Sequence, residues 1–181
     1  MALLDIEVFG SPILRQETEP VGSVTPALRR LVDDMFDTMH AAQGIGLAAP
    51  QVGRRERLAV IEIEGQRLVL INPEIMHSGG GLSRAEEGCL SIPEVYATVE
   101  RPAQVTVRAQ DIDGTPFEVA ASELLGRCLQ HEIDHLHGKL FLDRLSFLKK
   151  RTALKAWDEE KGNYPGLRRV LPVDELPPER S

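Results

Sequence analysis

The sequence predicts an α+β protein in which paired β-strands fill the middle of the chain and helices flank them. Three observations predict this arrangement: apolar residues at helical spacing after Thr25, β-branched runs joined by turn dipeptides between residues 58 and 120, and a stretch from 122 to 137 that is apolar on two faces. A length of 181 residues suggests one domain. We expect that domain to span residues 1–162 and to be followed by an extended or mobile tail at 163–181.

The first helix follows a segment, residues 1–24, that reads as irregular or extended. Thr25 has the side chain of a helix cap, and Pro26 suits the first helical turn. The apolar residues that follow recur with a helical period, and the helix should end before Gly44. These residues are Leu28, Leu31, Val32, Met35 and Met39.

Short apolar runs then predict two hairpins. Residues 58–63 and 67–71 flank Glu64-Gly65-Gln66, and residues 104–109 and 115–120 flank Asp113-Gly114, which is a strong turn signal. The three glycines at 79–81 predict a loop.

Two more helices are predicted in the second half of the chain. Residues 122–137 carry one apolar stripe of leucine and isoleucine and a second apolar face, so this helix should be central and should stop at Gly138. A C-terminal helix should run from Ser146 to near Gly162. The proline-rich residues beyond it suggest little contact with the core.

Composition excludes several functional classes. A net charge of −7 makes the chain a poor general binder of nucleic acid or of an anionic membrane. The sequence has no run of 18 apolar residues and its first residues do not resemble a signal peptide, so we expect a cytoplasmic protein without a membrane partner. Cys89 and Cys128 are then more plausible as a ligand, a reactive thiol or a core residue than as a disulfide.

Residues 131–135 of the central helix read His-Glu-Ile-Asp-His, which fits the H-E-x-x-H pattern. Residues four apart lie on one face of a helix, so His131 and His135 can hold one metal ion. Glu132, next to the first ligand, is placed to act as the general base on a metal-bound water. The pattern therefore predicts a hydrolytic metal centre.

Such a centre needs a third protein ligand and an open position. Downstream of His135 the candidates are His137, which points elsewhere on the helix, and acidic residues typical of a surface. Upstream, Cys89 lies between Gly88 and Leu90, an unusual place for a core residue. From the residues alone, Cys89 is either the ligand or a small side chain with no role.

A third segment, residues 44–51, reads Gly-Ile-Gly-Leu-Ala-Ala-Pro-Gln. Its small residues would let another backbone or a ligand approach closely, and Gln51 offers an amide donor to a developing oxyanion. Taken on its own, the segment favours a simpler interpretation, a tight link between a helix and a strand with no chemistry.

Together the segments 46–51, 87–91 and 130–135 resemble the peptide deformylase family, which has the same three motifs in the same order. The resemblance covers about residues 1–160. It implies an α+β fold in which mixed or antiparallel strands surround the motif helix. It also implies hydrolysis of the N-formyl group from the formylmethionine of new polypeptides, with release of formate.

The resemblance further implies a role for each site residue. Cys89, His131 and His135 would be the metal ligands, Glu132 the acid/base residue, and Gln51 with the backbone N–H of Leu90 the oxyanion donors. Arg127 would lie at the edge of the pocket, where some members have an apolar residue. The substrate groove and methionine pocket would be lined by Gly44, Ile45, Gly46, Gly88, Leu124 and Cys128.

The implied cofactor is one ferrous ion, for which Ni²⁺, Co²⁺ or Zn²⁺ can substitute. The implied partners are N-formylmethionyl peptides and nascent chains. The last helix carries a cluster of basic residues that is typical of a solvated surface, and a transient contact with the ribosome is the alternative; the cluster comprises Lys149, Lys150, Arg151 and Lys155. Two rivals are a zinc endopeptidase, which would need a downstream ligand and no Cys89, and a binding protein on the same fold. The second would typically have lost Glu132, Cys89 or Gln51.

Overall fold

The structure, a computed structural model, describes residues 2–173 and contains three α-helices and seven β-strands within that range. The two longest strands form one extended hairpin in the middle of the chain. In chain order the elements are β1 (Ile6–Glu7), α1 (Pro26–Ala41), β2 (Gly46–Ala48), β3 (Leu58–Ile63), β4 (Gln66–Cys89), β5 (Ile92–Gln110), β6 (Pro116–Ser122), α2 (Glu123–Leu136), α3 (Phe147–Glu160) and β7 (Arg168–Arg169).

The main sheet is fully antiparallel, with strand order β2-β3-β4-β5-β6, so each strand pairs with its neighbour in the chain. A second, two-stranded sheet joins β1 to β7. This arrangement confirms the predicted α+β class, the motif helix at its centre and the helix near the C-terminus. Both predicted hairpins are present.

Two helices cover opposite faces of the sheet near β3, which explains why its residues are apolar in succession. Alternate side chains of a strand point to opposite faces. Leu58 and Val60 pack in a cluster with α1, whereas Ala59 and Ile61 pack in a cluster with α2. The motif helix itself is buried around most of its circumference from Gly126 onward, as its sequence predicted.

The helix boundaries follow local chemistry. The Thr25 side chain accepts a hydrogen bond from the Leu28 amide at 3.1 Å and so caps α1 at the predicted position. After α2, Gly138 has φ of +71°, a left-handed conformation that ends the helix where the sequence predicted.

The loop predicted at Gly79–Gly81 is wrong, because these residues lie inside β4. Gly80 and Gly81 have φ of +73° and +75°, and the register with β5 shifts between Gly79 and Leu82. The glycines therefore form a β-bulge that bends the strand without ending it. Beyond it β4 continues to Cys89, which carries a motif residue to the strand end.

The segment after α3 is more ordered than predicted. Tyr164 stacks on Trp157 with ring centroids 5.8 Å apart, β7 pairs with β1, and Leu171 is only 7% exposed among Ile6, Ala41 and Ala42. The prediction of little core contact is thus wrong for residues 163–173, whereas residues 174–181 lie outside the described range. The domain boundary at residue 162 stays a prediction.

Among residues 2–173, no helix combines the length and the apolar character required to cross a membrane.

Candidate active site

A cavity of about 400 Å³ opens where the end of β4, the start of β5, the segment after α1 and the face of α2 meet. With the exception of His135, which is fully buried, every predicted site residue lines it. The lining includes Gln51, Cys89, Leu90, His131 and Glu132 together with Gly44, Ile45, Gly46, Gly88, Leu124 and Cys128. Three segments that are distant in sequence are thereby brought together.

Three atoms that could bind a metal lie close together at the inner wall of the cavity. This donor cluster consists of Nε2 of His131, Nε2 of His135 and Sγ of Cys89. The Nε2 atom of His135 lies 3.2 Å from Nε2 of His131 and 3.3 Å from Sγ of Cys89, and the three donor atoms lie within 4.8 Å of one another. Ligands about 2.0–2.3 Å from one tetrahedral ion are separated by about 3.3–3.6 Å, so the spacing suits a shared ion. Both cysteines are free thiols.

Glu87 fixes the orientation of His131. It accepts a hydrogen bond from His131 Nδ1 at 2.9 Å and is 7% exposed. A carboxylate only accepts, so Nδ1 of His131 carries a proton, and Nε2 is the ring atom that faces the donor cluster and can bind a metal once the ring is neutral. Burial alone would raise the pKa of Glu87, but the hydrogen bonds from His131 and Arg101 outweigh it and hold that pKa far below its usual range.

Arg101 ties this carboxylate to the motif helix. Its buried guanidinium donates two hydrogen bonds to Glu87, at 2.6 and 2.9 Å, and one to Asp134 at 2.9 Å. Sequence reasoning assigned no role to Glu87, Arg101 or Asp134. A buried arginine cannot be recognised from sequence before its partners are known, although Glu87 and Asp134 stand within the matched motifs.

Arg127 does not leave an unpaired charge at the pocket edge. Its guanidinium donates to Glu87 at 2.7 Å, to the Val99 carbonyl at 2.9 Å and to the Ser83 carbonyl at 2.9 Å. These three partners hold the charged end in place, and the side chain forms part of the cavity wall.

Glu132 is buried, yet one of its carboxylate oxygens lacks a hydrogen-bond partner. Within the described residues its Oε2 atom has no hydrogen-bond partner. Burial raises the pKa of Glu132 to about 7, although the charges of His131 and Arg101 oppose that rise. A carboxyl group with a free oxygen and a pKa near neutrality can both take up and release a proton.

Gln51 has a fixed amide orientation. Its Oε1 atom accepts from the Ala48 amide at 2.9 Å, so Nε2 is turned towards Ser91 Oγ at 3.1 Å and Cys89 Sγ at 3.6 Å. Leu90 and Ser91 form the two-residue turn between β4 and β5. An amide donor and the backbone of a tight turn therefore stand beside the donor cluster.

Gly46 is required by the close approach of α2 to β2. A Cβ atom at this position would lie 2.6 Å from Glu132 Oε1 and 2.9 Å from Cys128 Sγ. The glycine segment thus runs directly beside the carboxylate, and the apolar side chain of Leu124 and the buried thiol of Cys128 form the adjoining wall.

The sequence profile that describes polypeptide deformylases matches residues 3–151, which is most of the chain. This chain belongs to the polypeptide deformylase family. It is 48% identical over 163 residues to the peptide deformylase of Hydrogenovibrio crunogenus, with 88% of this chain and 96% of that relative covered.

Solved structures agree. The Legionella pneumophila peptide deformylase superposes with a TM-score of 0.86 at 47% identity, covering 90% of this chain and 97% of that one. The Synechococcus elongatus deformylase, solved in complex with actinonin, gives a TM-score of 0.82 at 42% identity, covering 97% of this chain and 92% of that one. The chain is accordingly an enzyme of a metal-dependent family that removes the N-formyl group from new polypeptides. Membership of this family excludes the two alternatives, a zinc endopeptidase of another family and a non-catalytic binding protein.

Proposed function

We propose that Cys89, His131 and His135 hold one divalent metal ion and that Glu132 carries the proton during deformylation. The observation that supports this most strongly is the convergence of three donor atoms, within 4.8 Å of one another, beside a buried carboxylate with a free oxygen. Burial and the charge of His131 lower the pKa of His135 well below its usual value, so the imidazole of His135 is neutral. Burial alone would also lower the pKa of His131, but its hydrogen bonds with Cys89 and Glu87 outweigh burial and raise that pKa, so a bound ion would displace a proton from His131. A neutral imidazole is the form that binds a metal.

The chemistry divides between the ion and the side chains. When bound, the ion supplies a Lewis acid that polarises the formyl group and makes water easier to deprotonate. Glu132 Oε2 accepts the proton of the attacking water. Gln51 Nε2 and the Leu90 N–H donate hydrogen bonds to the oxyanion that develops on the former carbonyl oxygen. Glu132 then returns the proton to the leaving amine, which frees the N-terminus and releases formate.

We propose that the substrate lies along the glycine segment. Residues 44–46 line the cavity and lead into β2, which is an edge strand of the main sheet, so a peptide backbone would pair with this segment as an added strand. Ile45, Leu124, Cys128 and Gly88 would surround the methionine side chain. This arrangement would favour N-formylmethionyl peptides and nascent chains over free formylmethionine, because only a peptide can supply the paired backbone.

Cys89 offers the sharpest test of the ligand set, because Cys128 is a matched control in the same cavity. Under anaerobic conditions, Cys89→Ala should lose stoichiometric metal, whereas Cys128→Ala should retain about one ion per chain. Equal metal content in the two variants would contradict the assignment of Cys89. The measurement needs no turnover, so it separates metal binding from catalysis.

For the ion we propose Fe²⁺, with Ni²⁺, Co²⁺ and Zn²⁺ as substitutes. One thiolate with two imidazoles suits iron as well as zinc. A solvent-reachable thiolate is also open to oxidation, so the iron form should lose activity in air, the nickel form should last longer, and the zinc form should be stable but slow. Reloading stripped protein with each metal anaerobically, then exposing it to air, tests the choice. A fastest zinc form and an air-insensitive iron form would contradict it.

Action on nascent chains suggests a cytoplasmic location and a transient contact with the ribosome. On α3 the basic residues Lys149, Arg151 and Lys155 are exposed, and Lys150 lies beside them. We propose that this surface makes the contact. Replacing the three exposed residues by Ala should weaken co-sedimentation with ribosomes and leave deformylation of a free peptide unaltered, and unchanged co-sedimentation would contradict the proposal.

A further inference from the structure

We infer that Arg169 is a substrate-specificity residue, which binds oxygen atoms of the third or fourth residue of the formylated peptide. The inference rests on the proposed function of the groove and adds an outer end to it. That end is formed by the segment 164–173, which follows α3 and lies beyond the part of the chain that matches the family profile.

The segment is anchored on the walls of the cavity. Leu171 belongs to one buried apolar cluster with Ala42, and Leu90 packs against that cluster; Ala42 and Leu90 both line the cavity. The Val8 amide donates to the Leu167 carbonyl at 3.0 Å. With the β1–β7 pairing and the stacking of Tyr164 on Trp157, these contacts hold the segment at both ends. A side chain carried by β7 therefore has a defined position relative to the groove.

The two arginines of β7 point in different directions, because successive residues of a strand face opposite sides. Arg168 forms an ion pair with Glu7, with Nε and Oε1 3.3 Å apart, and it does not line the cavity. Arg169 lines the cavity. Of these two neighbours, Arg168 is therefore held by an ion pair, whereas Arg169 faces the groove.

Arg169 also differs from the other arginine of the cavity wall. Arg127 is held by Glu87 and by two carbonyl groups. For Arg169, by contrast, no carboxylate within residues 2–173 comes within 4.0 Å of the guanidinium, although Glu94 lines the same cavity. An arginine presents up to five N–H donors, which suit carbonyl and especially carboxylate oxygens.

The direction of the groove sets which substrate residue reaches Arg169. Gly46 adjoins Glu132, Gly44 adjoins Leu90, and Ala42 shares a buried apolar cluster with Leu171. The path from residue 46 to residue 42 therefore leads from the reacting centre to the C-terminal segment. This path covers four residue steps and therefore spans about 13 Å at most, at 3.3 Å per residue of an extended chain. A peptide lying along this path brings its third or fourth residue to Arg169.

The test compares the full-length metal-loaded enzyme with Arg169→Ala, Arg169→Glu and the neighbouring control Arg168→Ala. The substrates are amidated formyl-Met peptides of four residues that carry Glu or Lys at the third or the fourth position. Since Arg169 is half-buried, the wild type should show a KM about fivefold lower for the better-placed Glu peptide than for its Lys counterpart. This preference should vanish in Arg169→Ala, reverse in Arg169→Glu and persist in Arg168→Ala.

Several results would overturn the inference. These are a wild type that does not discriminate at either position, a preference that survives in Arg169→Ala, or an equal loss in Arg168→Ala. Hydrolysis of formyl-Met-Ala by the wild type reports separately on the proposed function. If that dipeptide is deformylated and the charge preference is absent, the inference about Arg169 fails while the function of the groove stands.

Discussion

Replacing Arg101 by methionine tests the charge network behind the metal-binding residues. The side chain of Arg101 is 2% exposed and bridges Glu87 and Asp134, which are themselves buried. Methionine has a similar length but no charge, so both carboxylates would lose a buried partner. Breaking a buried ion pair costs about 3–5 kcal/mol, because it leaves an uncompensated charge.

The remaining partners of the two carboxylates place the expected loss of unfolding free energy at the lower end of that range. Glu87 keeps Arg127 at 2.7 Å, and Asp134 keeps Arg144 at 2.7 Å, so neither carboxylate is left alone. We therefore expect Arg101→Met to lower the free energy of unfolding by about 3 kcal/mol. In a chain of this size that corresponds to a fall in Tm of about 6–12 °C.

Urea unfolding of metal-free protein is the appropriate assay, since bound metal would add its own stabilisation. Arg108→Met is the control, because Arg108 pairs with Glu118 on the surface, with both side chains more than half exposed. Such a pair contributes less than about 1 kcal/mol. If Arg101→Met lowers the free energy of unfolding no more than Arg108→Met does, the buried ion pairs of Arg101 do not stabilise the site.

Three further predictions follow from the same geometry. Gln51→Ala should lower kcat about 100- to 1,000-fold, more than it raises KM, because an oxyanion donor acts in the transition state; a change in KM alone would refute this role. Burial raises the pKa of Glu132 from 4.5 to about 7, so metal-free wild type should lose stability as pH rises between these values. The Glu132→Gln variant should not show that loss, and at pH 8 it should be more stable than the wild type by at most about 3 kcal/mol. If the unfolding free energies of the two proteins change with pH in parallel, the raised pKa of Glu132 is contradicted. Leu171→Ala should cost about 2 kcal/mol on urea unfolding, and a cost below about 0.5 kcal/mol would show that the segment after α3 is only loosely attached.

Much of the site could be predicted because its chemistry is encoded locally. His131, Glu132 and His135 are one helical turn of sequence, and the strong apolar periodicity of α2 identified the helix that carries them. The resemblance then added Cys89 and Gln51, which the residues alone left undecided. The structure places all five around one cavity or directly behind it.

The remainder depends on contacts between residues far apart in the chain. The bulge at Gly80 and Gly81 reads as a loop, because glycine signals the same left-handed backbone in both settings. The pairing of Arg101 with Glu87 spans a hairpin whose register the sequence does not reveal. Leu171 lies in a short segment where apolar residues such as Val170 and Val173 alternate irregularly with prolines and charges, so no periodicity marked it as buried. Arg169 becomes informative only once β7 is known to pair with β1.

The most direct test of the central claim measures metal content and formate release together in one variant. Glu132→Gln should retain about one ion per chain and lose about 10,000-fold in turnover of formyl-Met-Ala-Ser, because both proton transfers require the carboxylate. Glu123→Gln, on the exposed first turn of the same helix, should match the wild type in both measurements. A Glu132→Gln enzyme with full metal and near-normal formate release would show that Glu132 is not the residue that moves the proton.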